Sequence, residues 1–420
     1  MKPAAKVVLA VTGILIALHA PGYAQGPGPY PYMESLRKAE ADVPAYAFGA
    51  TSDKPTEQRR AMLQRISSPL QAVAVARAFV GDTEGAQAAF DLPDLQAGVR
   101  AQGKADDLKA IEDAPVEDAI EAIVAAARTK RVVLINEAHH VPMHRAFAQK
   151  LAIELRKIGY TYLAAETFQE RDEGRTMKGY VNAGFGFYTQ DPVYADFVNQ
   201  AMADGWNIVS YEASPESMTG TPAEQIDARE RGQARNLVER IFAKDKKAKV
   251  LIFVGYGHLY KSTLPNGMVM MGTYLRQMTD LDMLHVDQTA FYAHPDRSAE
   301  HPLYEALLSK PHAQAPFVLR TGDRGHVILG GARNYVDMHV VFPRYALRHG
   351  RPEWLETLAE RRPHEIPPAM LPVSGRRLIQ AYRISDGADA IPTDNVLVEA
   401  GKPVPKLMLP KGEFRFAFQD

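Results

Sequence analysis

The sequence predicts an α/β protein with a mainly parallel sheet and helices on both faces. A helical region precedes that core and a small β-rich extension follows it. Three observations carry the prediction. Short apolar runs of strand length alternate with amphipathic stretches from Pro115 to about residue 290, the pattern of repeated β-α-β units. Each run stops at a polar or ionisable residue. The densest stop comes after Ile135, where Asn136 is followed by Glu137, His139, His140 and His144. Open α/β sheets take ligands outside the carboxyl ends of their strands, so the alternation predicts the place of a site as well as a fold.

The chain has 420 residues, 46% hydrophobic and 24% charged, with a formal charge of -1. Such a length supports a large core. The charge balance does not suit nucleic acid, whose partners are basic, and it sets no oligomeric state. There is no cysteine, which excludes disulfides, thiol catalysis and thiolate metal ligands. Residues 1-24 read as a secretory signal. Lys2 and Lys6 form its basic start, Val7 to Leu18 its short apolar stretch, and Gly22 and Ala24 its small residues before a cut after Ala24. The apolar stretch is shorter than the ~20 residues of a spanning helix. The expected location is therefore periplasmic or secreted, with no integral span after cleavage and a charge of about -3. A secreted protein of this size does not need disulfides.

Gln25 to Tyr32 is a Gly/Pro/Tyr linker, and Met33 to about Ala114 is helical and Ala-rich without evident chemistry. The α/β core is expected over 115-290. It opens with a helix from Pro115 to Thr129, which has Pro in its first turn. The strand Arg131–Asn136 and a helix from Pro142 to Ile158 follow. The strand Thr161–Ala165 ends in Glu166. Asp191 caps a helix over Pro192–Asp204. The strand Asn207–Tyr211 ends in Glu212, and a charged helix spans Ala223–Lys246. The strand Lys249–Val254 runs into Gly255-Tyr256-Gly257-His258, and a short helix lies near Gly272–Met278. The fifth strand, Met283–Val286, leads to Asp287. Over 291-420 strands are expected at Pro316–Leu319, Val327–Leu329, Val336–Phe342, Arg377–Ile384, Asn395–Glu399 and Glu413–Ala417, with a helix at Pro352–Arg361.

The five strand ends thus present Glu137 with His139, then Glu166, Glu212, His258 and Asp287. A carboxylate placed directly after a buried strand is costly to bury alone and needs a partner. His140 and His144 are four apart, a spacing that suits metal ligation on one helix face, although the glutamate precedes the histidines, unlike H-E-x-x-H. The plainer alternatives are surface or capping histidines, and glutamates paired with arginine. Gly255 and Gly257 allow a tight turn and close backbone approach. The charged helix offers one of its arginines (Arg229, Arg231 or Arg235) and Asn236 toward the site, the rest being a solvated face. No G-x-S-x-G elbow and no P-loop occur. The loop Thr176–Gln190, rich in glycine and aromatics, suits a lid.

The run E-A-H-H-V-P-M-H-R resembles the G-E-x-H-D-x-P-x-H-H motif of the haem-uptake ChaN-like proteins. It also resembles the G-E-x-x-H motif of erythromycin esterases, and more distantly the Tiki and TraB families. The likeness continues through Glu166 of AAETF, Arg229 and Asn236 of ARERGQARN, and His258 of GYGH, over about Glu117 to Thr289. Asn136 stands where the pattern has glycine. His140 replaces the aspartate of the ChaN-like pattern while filling the histidine position of the esterase pattern. The resemblance implies either hydrolysis of an ester or amide, with or without a divalent metal ion, or binding of haem.

Two functional expectations result. In the first, a small-molecule hydrolase uses His139 or His140 as general base with Glu137 or Glu166 orienting water, and His258 as acid or oxyanion donor. In a metal-assisted variant His139, Glu166 and His258 hold the ion. His144, Glu212, Arg229, Asn236, Tyr256 and Asp287 would contact the ligand. In the second expectation the protein is a haem- or iron-binding uptake protein without catalysis, with Tyr256, Tyr260 and the histidines as axial donors. A silent α/β domain that binds a partner through its helical arm or β-extension is the plainest reading.

Overall fold

The computed structural model describes residues 24–25, 30–44, 56–97, 104–169, 179–214, 218–311, 313–322 and 325–420. Residues 1–23 of the expected leader and 176–178 of the expected lid lie outside them. No helix among the described residues is long and apolar enough to cross a membrane.

Among the described residues eight strands form the main sheet. In chain order they are β1 (Val116–Asp118), β2 (Val132–Glu137), β3 (Tyr162–Ala165), β4 (Asn207–Ser210), β5 (Val250–Gly255), β6 (Met283–Phe291), β7 (Phe317–Leu319) and β8 (Met338–Val341). Their spatial order is β1-β7-β8-β6-β2-β5-β3-β4. The six from β8 to β4 are parallel. β7 and β1 close one edge antiparallel. The predicted α/β class is what the chain adopts. Every residue of β2 and β5 is buried, because helices cover both faces, and strands buried on both faces read as unbroken apolar runs.

Among the described residues nine longer helices accompany the strands: α1 (Tyr32–Asp42), α2 (Thr56–Phe79), α3 (Thr83–Ala97), α4 (Ala105–Asp113), α5 (Ala119–Ala127), α6 (Pro142–Lys157), α7 (Pro192–Ala203), α8 (Pro222–Leu237) and α9 (Met271–Thr279). The alternation of side chains along a strand divides the core. Val133, Ile135, Leu163, Leu251 and Phe253 pack with α5, α6 and α7. Their neighbours Val132, Leu134, Ala164, Val250, Ile252 and Val254 pack with α8 and α9. Asp191 caps α7 as expected, accepting from the Val193 amide at 2.6 Å. α8 starts at a reciprocal box between Thr221 and Glu224.

Several boundaries differ from expectation. The residues after Pro115 pair as β1 with β7, so the next helix starts only after Asp118, whose carboxylate caps it. The long charged helix is α-helical to Leu237 and then widens into a π turn, Val238–Phe242. β6 continues to Phe291, placing Asp287 inside a strand rather than at its end. Val327–Leu329 forms no strand, and the expected helix over 352–361 shrinks to Trp354–Thr357. β7 and β8 lie past residue 290 yet complete the main sheet, since Met338 and Val340 fill its core.

Beyond them β9 (Arg376–Arg383), β10 (Asp394–Glu399) and β11 (Phe414–Gln419) form a small antiparallel sheet, which Ala24–Gln25 extends in parallel along β11. The N-terminal helices pack on the body. Tyr32, Met33, Leu36 and Phe79 share a cluster with Leu378 of β9. Asn395 donates to the Phe79 carbonyl at 2.8 Å. α3 in turn reaches the strand edge.

Candidate functional site

β2 delivers Glu137 to the sheet edge at 2% exposure. The partner that such a carboxylate requires is Arg145 of α6, itself fully buried. Arg145 Nε donates to Glu137 Oε2 at 2.5 Å and Nη2 to Oε1 at 3.2 Å. The same Nη2 holds the His139 carbonyl at 2.8 Å, and Nη1 pairs with Asp191 at the start of α7. Burial pushes the Glu137 carboxyl up, but Arg145 and His139 outweigh it and hold its pKa at about 2. Burial dominates at Asp191 and raises its pKa despite Arg145.

His139 Nδ1 lies 2.9 Å from Glu137 Oε1. An ionised carboxylate there keeps the proton on Nδ1 and leaves the Nε2 lone pair free. The ring stacks on Tyr188 at 3.9 Å and meets Tyr256 edge-on at 5.0 Å. Its Nε2 edge lies against Gly255. A Cβ on that glycine would come 2.6 Å from His139 Nε2 and 3.1 Å from Glu166 Oε2. Gly255 has an ordinary φ of -81°, so the missing side chain is what matters there. The left-handed conformation falls instead on Tyr256, at φ 42°.

Glu166, just past β3, accepts the Gly255 amide at 2.8 Å with Oε2 and Arg229 Nη2 at 2.6 Å with Oε1. Burial raises its pKa, and His258, His139 and Arg229 together bring it down to about 2. Arg229 projects from α8 and forks onto Glu212, with Nε at 3.0 Å and Nη2 at 2.6 Å. Gln233 adds two bonds of 3.1 Å to the same carboxylate. His258 follows β5 in a short 3-10 turn. Its Nδ1 lies 2.5 Å from Glu230 Oε1, and its Nε2 lies 3.4 Å from Arg229 Nη1 and 3.8 Å from Glu166 Oε1. Burial lowers the His258 pKa, but Glu230 and Glu166 carry it above its ordinary value.

Two histidine–glutamate pairs, Glu137–His139 and Glu230–His258, therefore flank Glu166 and Arg229. Side-chain exposure rises from 3% at Glu137 to 14% at His139 and 28% at Arg229, so the cluster opens to solvent on the Arg229 side.

The other expected residues are distributed around this centre. His140 turns toward α3 and stacks on Phe90 at 3.8 Å. His144 is fully buried, accepts the Ala138 amide at Nδ1 (3.1 Å) and is held by burial to a pKa of about 3; it fastens the turn after β2. Asn236 donates to the Tyr211 and Glu212 carbonyls and so anchors the end of β4. Asp287 pairs with His339 at 3.0 Å and accepts from Asn136 at 2.7 Å. Asn136 also donates to the Tyr256 carbonyl and accepts the Gln288 amide, so it ties β2, β5 and β6 together. Tyr260 packs against Tyr335.

Arg145, Asp191 (beyond its cap role), Tyr188, Glu230 and Gln233 were not legible as site residues. Arg145 lies within the quoted motif, and the only available signal was the partner that Glu137 demanded. The set expected to hold a divalent ion does not suit one as arranged. Arg229 already occupies Glu166 Oε1 at 2.6 Å and lies 3.4 Å from His258 Nε2, so a fixed cation stands where the ion would be held. Among the described residues no group of three or more His, Asp and Glu has the geometry of a metal site.

The fold and the edge cluster define a class: an α/β protein with a mostly parallel sheet and a cluster of ionisable side chains outside its strand ends. No protein-family profile matches the chain, and no curated protein matches it. Among solved structures it is similar to the type III effector HopBA1 at 16% identity, covering 45% of this chain and 94% of that one, with a TM-score of 0.28. It is also similar to a structure titled "Bacterial protein toxins", at 16% identity over 62% of this chain and 53% of that one, with a TM-score of 0.31. A third is RRSP, a MARTX toxin effector domain from Vibrio vulnificus, at 14% identity over 69% and 68% of the two chains and a TM-score of 0.27. Likenesses this distant carry no argument about activity.

Proposed function

We propose that the chain is an exported, periplasmic or secreted, hydrolase that cleaves an ester or amide bond of a small molecule through histidine-activated water. The observation that carries this reading is the Glu137–His139 pair. Arg145 keeps Glu137 ionised, Glu137 keeps the proton on His139 Nδ1, and the free Nε2 lies beside Glu166. That is the orientation a general base requires. His139 Nε2 takes a proton from water as its oxygen attacks the carbonyl carbon. Arg229, held 2.6 Å from Glu166 Oε1 on the more exposed side of the cluster, supplies positive charge for the developing oxyanion. His258, whose raised pKa favours the protonated ring, gives a proton to the leaving oxygen or nitrogen as the bond to carbon breaks. Every step in this scheme uses the chain's own side chains.

The test is turnover of p-nitrophenyl esters and matching anilides, with and without EDTA. Turnover indifferent to EDTA is expected, falling about 10²–10⁴-fold in His139→Gln and His258→Gln. Equal rates in the parent and a folded His139→Gln protein would sink the assignment.

A further inference from the structure

Beside the strand-edge cluster, but on the α3 side, lies a cavity of about 290 Å³. Its wall joins α3, the turn into α6, the segment after β6 and the segment after β8. The apolar part includes Met143, Pro142 and Trp354. Two imidazoles supply the polar part. His294 is held by a buried carboxylate, with Nδ1 2.8 Å from Asp91 Oδ2. His140 is 1% exposed, and its Nε2 is buried without a hydrogen-bond partner. None of these features serves the reaction proposed above.

The chemistry of the two rings is complementary. The Tyr256 hydroxyl lies 3.5 Å from His140 Nδ1, and a neutral ring accepting there carries its proton on Nε2, as a donor. Asp91 fixes a proton of His294 on Nδ1 and leaves Nε2 as the ring atom available to a ligand. A carboxyl group satisfies both: one oxygen accepts from His140 and the other shares a proton with His294. Arg297 and Arg344 also line the wall, but Arg344 is paired with Glu300 and Glu305 and Arg297 with Glu305, and Glu84 lines the same cavity, so the two imidazoles rather than net charge select a carboxyl group. A buried polar atom without a partner is costly, and a ligand carboxyl relieves that cost while its body fills the apolar wall.

We infer that this cavity is a binding site for a small monocarboxylic acid with an apolar or aromatic body, anchored by His294 and His140. The site is independent of the hydrolytic reading, since it uses neither His139 nor His258.

Trp354 lies in the wall, and Trp206 is the chain's other tryptophan, which provides a probe. Titration of the full chain with benzoate and phenylacetate, followed by tryptophan fluorescence and by calorimetry, should show saturable binding. Trp206→Phe should retain the fluorescence change. Asp91→Asn and His294→Gln should each weaken binding about tenfold or more, with folding checked by circular dichroism. Benzamide should bind much more weakly. No saturable heat with either acid, equal affinity for benzamide, or undiminished binding in His294→Gln would overturn the proposal. Calorimetry decides the matter if the Trp206 variant does not fold.

Discussion

His139 and His140 are consecutive, and the fold gives them different partners: His139 stacks on Tyr188 at 3.9 Å, His140 on Phe90 at 3.8 Å. Only His139 reaches both a carboxylate at Nδ1 and the Glu166 side of the strand edge. His139→Gln is therefore expected to lower hydrolysis about 10²–10⁴-fold, and His140→Gln at least about tenfold less than that. Steady-state rates of the two variants check it, and an equal loss in both would contradict the division of roles.

Gly255 is the point where His139 and Glu166 converge. A methyl group placed 2.6 Å from His139 Nε2 must displace that ring, because the other close atom belongs to Glu166. Gly255→Ala should cost about 1–3 kcal/mol in urea unfolding and reduce kcat more than it raises KM. A fully active, equally stable alanine variant would show that the close approach is dispensable.

Asn136 spends its side-chain amide on three strands. Asn136→Gly removes the bonds to Asp287, to the Tyr256 carbonyl and from the Gln288 amide. Leaving such buried groups unpaired should destabilise the fold by about 1–3 kcal/mol, read from the urea midpoint. A neutral effect would mean that neighbouring groups or water take over those bonds.

Acid should destabilise the protein in two stages. His144 titrates at about 3 in the fold and near ~6.5 when unfolded. The unfolded chain therefore binds more protons across that window, and stability falls as pH falls through it. Glu137 and Glu166 titrate at about 2 in the fold against ~4.3 unfolded; their contribution is complete above ~4.3 and lost toward 2. His258 acts oppositely: its pKa is raised, so its contribution is present below ~6.5 and lost as pH rises through the folded value. In His144→Asn, the slope of unfolding free energy between pH 6 and 4 should decrease by about one proton. An unchanged slope would remove His144 from this account.

The strand ends were legible because a buried strand must stop being apolar where it leaves the sheet. Glu137, Glu166 and His258 are brought together as that reasoning expects, and Arg229 joins them from α8. The errors have a common cause. Val116–Asp118 looked helical because three residues carry too little periodicity to separate from the helix behind them. Asp287 looked like a strand end because a polar residue paired inside a sheet resembles one at its edge. α3 showed no chemistry because Phe90 and Asp91 acquire theirs only from His140 and His294, roughly fifty and two hundred positions away.

The sequence by itself determined the α/β class, the parallel core strands and the edge where ionisable groups gather, since alternation and burial act locally along the chain. The tertiary structure decided which of those groups touch. Arg145 pairs with Glu137 because burying a carboxylate demands a cation, and only packing chooses which cation is near enough. Arg229 enters between Glu166, Glu212 and His258 for the same reason. Two adjacent histidines part because each ring stacks on the aromatic side chain that its own wall provides.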